Sequence, residues 1–165
     1  MSWRNLYLTL FMLVSVICID QISKLIIVEV IMHPPRVIAV LPNLNFVLSH
    51  NTGVSFGLFA SQFQSSQILL IALTSIISVF VFIWGGIFNR TTAEALCAGL
   101  ISGGAVGNII DRSLRGAVTD FIDIQIAGLS WPAFNLADMA IVLGSIFLVM
   151  TSASSHIEQE HKNDV

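Results

Sequence analysis

Five aspartates of this chain, Asp20, Asp111, Asp120, Asp123 and Asp138, lie within or beside long apolar runs, together with Gln21, Lys24, Asn108, Arg112 and Asn135. Ionisable groups in such places are costly to bury and are functional-site candidates by default. Their types narrow the chemistry. Neither cysteine has a histidine close by, so no Cys–His nucleophile is on offer, and Cys18 and Cys97 read as small buried hydrophobes in apolar stretches. His33 and His50 stand seventeen residues apart in a polar segment, a poor basis for a metal site. His50 reads as packing in, or hydrogen-bonding across, a sheet. No serine occupies a G-x-S-x-G elbow or an S-x-x-K pair. What remains is carboxylates without a metal-binding pattern. Two carboxylates held close together do not both ionise easily, so they can share one proton. The ionised member then acts as a base on water, while the protonated one polarises a carbonyl. That is peptide hydrolysis with no metal and no cofactor.

Each polar group also has a plainer reading. Asp111 with Arg112 is an ordinary interfacial pair or part of a site. Asp123 is a solvated loop carboxylate, Lys24 snorkels toward headgroups, and Asp20 caps or pairs. Asp138 resists such an account. It falls about five residues into an apolar helix, with no basic residue on that helix to neutralise it.

The elements that must position these groups are set by composition. The chain has 165 residues, of which 55% are hydrophobic and only 10% charged. A soluble domain carries about a quarter charged residues, so lipid is the expected solvent, and one domain, 1–165, is the expected count. A net charge of −3 without a Lys/Arg run excludes a nucleic-acid partner. A membrane-crossing helix needs about 20 mostly apolar residues, and the runs predict four spans, at about 6–30, 68–88, 93–112 and 131–150, followed by a polar, disordered tail over 152–165. The first span reads as retained rather than as a cleaved signal, because Ile17 before Cys18 is bulky and no small-x-small site follows.

The stretch His33–Gln67 is too polar to cross. Pro34 and Pro35 end the preceding helix, and Leu44, Phe46 and Leu48 alternate with polar or smaller neighbours as in a half-buried strand. Gly53 and Gly57 are placed to bend the chain that follows. The expected fold is an all-α membrane protein of four transmembrane helices, with a small sheet cradle between the first two spans, on the side away from the termini. Residues 111–130 form a second, shorter loop there, carrying Asp120 and Asp123. In the third span Ala95, Gly99, Gly103 and Gly107 recur at every fourth position, a stripe that permits close helix contact in lipid, and the next step is Asp111. Four antiparallel helices bring all the polar groups to one level. Positive-inside counting leaves the orientation open.

Five blocks in this order resemble the bacterial lipoprotein signal peptidase family, also called signal peptidase II, over essentially the whole chain. They are Asp20-Gln21-x-x-Lys24; Asn51-Thr52-Gly53 running into Phe56-Gly57; Gly103 to Arg112; Gly116 to Phe121; and Phe134-Asn135-Leu136-Ala137-Asp138. Val54-Ser55 and Met139 are bulkier than that pattern. The resemblance implies an aspartic endopeptidase with Asp120 and Asp138 as the catalytic dyad. Asp20, Lys24, Asn51, Gly53, Asn108, Asp111, Arg112 and Asn135 would then bind substrate or support the site. It implies prolipoprotein substrates, diacylglyceryl-modified and cut just before the lipidated cysteine, and inhibition by peptide antibiotics that mimic them. It also implies the bacterial inner membrane, membrane lipids as neighbours, cytoplasmic termini and an active site at the outer leaflet. The alternative is a small proton-coupled transporter, which would spread carboxylates along a path across the bilayer. A non-enzymatic assembly factor is a further rival.

Overall fold

The structure is a computed structural model that describes residues 3–53, 63–88, 91–126 and 128–163. Four long helices carry the chain: α1 (Trp3–Ile26), α2 (Phe63–Ile83), α3 (Thr92–Arg115) and α4 (Leu136–Asn163). A π-helical turn extends α1 over Ile27–Ile31 and another extends α2 over Trp84–Phe88. Between α1 and α2 lie β1 (Ile38–Leu41) and β2 (Leu44–Asn51), and between α3 and α4 lie β3 (Val118–Ile126) and β4 (Leu129–Ser130).

Helix α3 packs on each of the other three, and its small-residue stripe explains how. A Cβ added to Gly99 would meet the Thr9 carbonyl and Met12 Cβ at 2.7 Å, and one on Gly103 would meet the Leu13 carbonyl at 2.8 Å. Backbones approach closely where the side chains vanish. The ends of α3 are fixed locally. Thr91 and Glu94 form a reciprocal capping box at its start, and Gly116 (φ 73°) closes it in the left-handed conformation, its N–H bonded to the Arg112 carbonyl at 3.1 Å.

Among the described residues, three helices are long and apolar enough to cross a membrane: 3–31, 67–88 and 92–115. The expected fourth span is shorter, an apolar stretch of Leu136–Ser152. Residues 131–135, expected to open that span, do not join the helix. The Phe134 carbonyl instead accepts the N–H groups of Phe121 and Ile122, at 3.0 and 2.9 Å. The polar tail differs too, since α4 runs on as helix to Asn163. Large apolar side chains such as Phe11, Ile22, Leu69, Phe80 and Val149 cover the outside of the helices. In a membrane protein that surface faces lipid.

The sheet is antiparallel in the order β1-β2-β3-β4, so the cradle draws on two connections rather than on the one between the first spans. Asp120 and Asp123 are therefore strand residues, not loop residues. Leu44, Asn45 and Phe46 pair with Ile124, Asp123 and Ile122, and after an irregularity Ser49, His50 and Asn51 pair with Asp120, Thr119 and Val118. Asp123 is not solvated. It accepts from Asn45 Nδ2 at 2.9 Å and Ser130 Oγ at 2.5 Å, joining three strands, and these bonds, Asn45's first, hold its carboxyl below the ordinary range. Beneath the sheet Ile27, Met32 and Phe121 form a core, with Phe46 edge-on to Phe121 at 6.3 Å. The sheet thus rests on the end of α1.

Candidate active site

Helix α4 begins one residue after Asn135, and that boundary decides the character of the site. Asn135 Oδ1 accepts the Asp138 N–H at 3.0 Å, and Asp138 Oδ2 accepts the Asn135 N–H at 3.2 Å. This is a reciprocal cap, with a carboxylate in the first helical turn. Asp138 is therefore not five residues deep in an apolar helix. It sits where a helix terminus presents free N–H groups and favours negative charge. The cap supplies part of the neutralisation for which the bare sequence offered no partner.

Three elements converge here. Strand β3 brings Asp120, which is only 2% exposed. Helix α3 brings Asn108, whose Nδ2 donates to Asp138 Oδ1 at 2.8 Å. Asn135, fully buried, donates Nδ2 to Asp120 Oδ1 at 2.6 Å and to Asn108 Oδ1 at 3.3 Å. Two amides thus tie the two carboxylates to one another. Burial pushes the Asp120 carboxyl above its ordinary range, and the negative charge of Asp138 pushes it the same way. The neighbouring Asn51 amide, the Asn135 hydrogen bond and the charge of Lys24 oppose the rise. One acid is held toward its protonated form while the other is set among donors. That asymmetry suits the shared-proton chemistry.

Behind the pair lies a buried ionic cluster. Lys24, with no exposed side-chain surface, reaches Asp20 Oδ2 at 2.8 Å, Asp111 Oδ2 at 2.9 Å and Asn108 Oδ1 at 3.2 Å. It does not snorkel. Asp20 both pairs and caps, its Oδ1 accepting the Ala137 N–H at 3.0 Å. Gly107 allows this approach: a Cβ there would stand 2.7 Å from Asp20 Oδ2. Asp111 accepts the Thr119 N–H at 3.1 Å, fixing the start of β3, and pairs with Arg115 at 2.5 Å. The expected Asp111–Arg112 pair does not form. Arg112 turns toward Gly53, whose added Cβ would lie 3.6 Å from Arg112 Nη2, and its buried Nε has no partner among the described residues.

Asn51 and Gly53 form the exit of β2. Gly53 has φ 72°, and its N–H donates to Asn51 Oδ1 at 2.8 Å, while the Asn51 side chain stands beside Asp120 in a polar hollow. Two hollows flank the pair. An apolar groove of about 430 Å³ runs past Asp138 along Trp131, Phe134, Met139, Val142 and Leu143. A polar one of about 400 Å³ holds Asp120 among Ser49, His50, Asn51, Thr52 and Pro132. Of the cysteines, Cys97 is buried as expected and Cys18 is exposed on the outer face of α1. Phe56, Gly57 and residues 54–55 lie outside the described residues.

The family signal peptidase (SPase) II matches residues 12–154 of this chain. The chain belongs to the signal peptidase II family. It is accordingly a membrane peptidase. The "Lipoprotein signal peptidase" of Thermodesulfovibrio yellowstonii is 37% identical, covering 88% of this chain and 94% of its own. That of Rickettsia bellii is 35% identical, covering 99% and 87%. A bacterial membrane enzyme solved in meso at 1.9 Å is 29% identical with a TM-score of 0.75, covering 87% of this chain and 90% of that one.

Each of the five blocks contributes residues to the aspartate pair or to the ionic cluster and turn beside it, the second through Asn51-Thr52-Gly53. Sequence reasoning passed over two residues beside them. Arg115 follows Asp111 by one helical turn, a spacing that pairs opposite charges. Gln67, buried at the start of α2, donates Nε2 to the Thr52 carbonyl, and nothing in its local sequence marks it.

Proposed function

We propose that this peptidase removes signal peptides from diacylglyceryl-modified prolipoproteins, cutting just before the lipidated cysteine, with Asp120 and Asp138 as its catalytic dyad. The observation that carries the reading is the amide-bridged pair of carboxylates at the border of an apolar and a polar hollow. A lipid-anchored cleavage site has that same double character. The apolar groove suits the membrane-embedded side of the substrate, and the polar hollow suits the chain leading into water. Confinement at fixed depth supplies part of the orientation that catalysis needs.

In this mechanism Asp138 takes a proton from water, and the resulting oxygen attacks the scissile carbonyl. Asp120 gives its proton to the carbonyl oxygen, forming a neutral tetrahedral diol. Collapse breaks the C–N bond. The diol returns a proton to Asp120 and Asp138 passes its own to the leaving amine, so both acids regain their starting states. The carboxylate cluster at one level, rather than along a path, supports a peptidase over a proton-coupled transporter.

Incubating the purified protein with lipidated and unlipidated forms of one prolipoprotein peptide tests this reading. Cleavage of the lipidated form alone, with the modified cysteine as new N-terminus, is the expected outcome. Equal cleavage of both removes lipid recognition from the proposal, and no cleavage of either rejects it.

The proposed topology has four spans, with both termini in the cytoplasm and the sheet outside, at the outer leaflet of the bacterial inner membrane. In a variant with Cys18 and Cys97 replaced by alanine, a cysteine at Pro42, in the exposed β1–β2 turn, should label from outside intact cells. One at Ala93, at the start of α3, should not. The reverse pattern inverts the orientation.

A further inference from the structure

Helix α2 carries no charge, and the mechanism above uses none of its residues. Yet its second turn meets the exit of β2. Gln67 is 6% exposed, its Nε2 donates to the Thr52 carbonyl, and its Oε1 has no partner among the described residues. Leu70, one turn on, packs so closely under Gly53 that an added Cβ would come within 2.7 Å of Cδ1. A buried amide with one half unpaired is unfavourable. Packing alone would be served better by an apolar side chain of the same size. The bond that Gln67 does make falls between Asn51 and Gly53, in the turn where the Gly53 N–H donates to Asn51 Oδ1 and the Asn51 amide stands beside Asp120 in the polar hollow.

We infer that Gln67 is a positioning residue, which clamps the Thr52 carbonyl and thereby holds the Asn51 side chain against Asp120. Its effect on cleavage rests on the dyad reading, but the clamp itself does not. Gln67 touches neither carboxylate. It acts through Asn51, and so ties the otherwise inert second helix to the site.

Gln67→Leu tests this, since it keeps the volume and removes both the donor and the unpaired acceptor. Thermal unfolding should stay at the wild-type temperature or rise. Hydrogen exchange at the Gly53 amide should quicken, because the turn that protects it loosens. Cleavage should slow by up to about a hundredfold, the scale for a misplaced positioning contact. Asn51→Ala should slow it comparably, and the double variant should be no slower than Asn51→Ala alone.

The pH profile gives an independent reading. The neighbouring Asn51 amide holds Asp120 down against burial and the charge of Asp138. Losing it lets Asp120 stay protonated to higher pH, so the alkaline limb should move upward in both single variants. Lys24 and Asp138 remain unchanged beside Asp120. Unchanged exchange at Gly53 overturns the clamp, whether or not the wild-type protein cleaves anything. Effects that multiply in the double variant, or an unmoved alkaline limb, overturn its action through Asn51.

Discussion

Asp120→Asn and Asp138→Asn should each give a folded protein that has lost cleavage of a lipidated prolipoprotein, with the double variant scarcely worse than either. Asparagine is nearly isosteric with aspartate. At position 138 it still offers one oxygen to the Asn135 N–H, so the start of α4 survives. What it cannot do is take a proton from water. At position 120 the amide still accepts from Asn135 but gives no proton to a carbonyl oxygen. A general acid or base contributes about 10²–10⁴-fold, and groups working as one unit lose activity together rather than in sequence. Asp138→Ala is the informative contrast. It also removes the carboxylate half of the reciprocal cap, so thermal stability should fall by about 1 kcal/mol, whereas Asp138→Asn should leave it nearly intact. A single Asn variant that is folded and keeps more than about a tenth of the wild-type rate, well short of the acid–base range, removes that residue from the dyad.

The residues of the site were legible in the sequence, and their mutual arrangement was not. The stripe Ala95-Gly99-Gly103-Gly107 leads to Asp111, and these positions are buried against α1 as the spacing implies. The misreading of Asp138 came from counting apolar residues back to Trp131, which carried the fourth helix through Pro132 and Ala133. The pattern Asn135-x-x-Asp138 is itself a helix-start signal and would have placed the boundary correctly. Strand β3 was likewise readable, since Ile122, Ile124 and Ile126 alternate with Asp123 and Gln125. Lys24 meeting Asp111 belongs to another kind. It depends on how closely α1 and α3 cross, a distance fixed by several glycine contacts at once rather than by either helix alone.

That crossing makes Lys24→Met the substitution with the largest expected cost in stability. Lys24 is the cation shared by Asp20 and Asp111, all three without exposed side-chain surface. Methionine fills similar space and supplies no charge. Asp111 would keep Arg115, but Asp20 would keep only the neutral donors Gln21 and the Ala137 N–H. Breaking a buried pair from one side costs about 3–5 kcal/mol, because the remaining charge stays buried without compensation. Against a total of about 5–15 kcal/mol, much of the protein should then unfold at temperatures the wild type survives. The measurement is thermal unfolding in detergent. Adding Asp20→Asn removes the stranded charge, so the double variant should recover most of the lost stability. If Lys24→Met alone melts with the wild type, the ionic cluster does not hold α1 to α3. If the double variant melts as early as the single, the strain lies at Asp111 or Asn108 instead. Activity is expected to recover less than stability. Asp20 holds the Ala137 N–H one residue before Asp138, and a neutral amide oxygen accepts that bond more weakly than a carboxylate, leaving the start of α4 less firmly placed against Asn108.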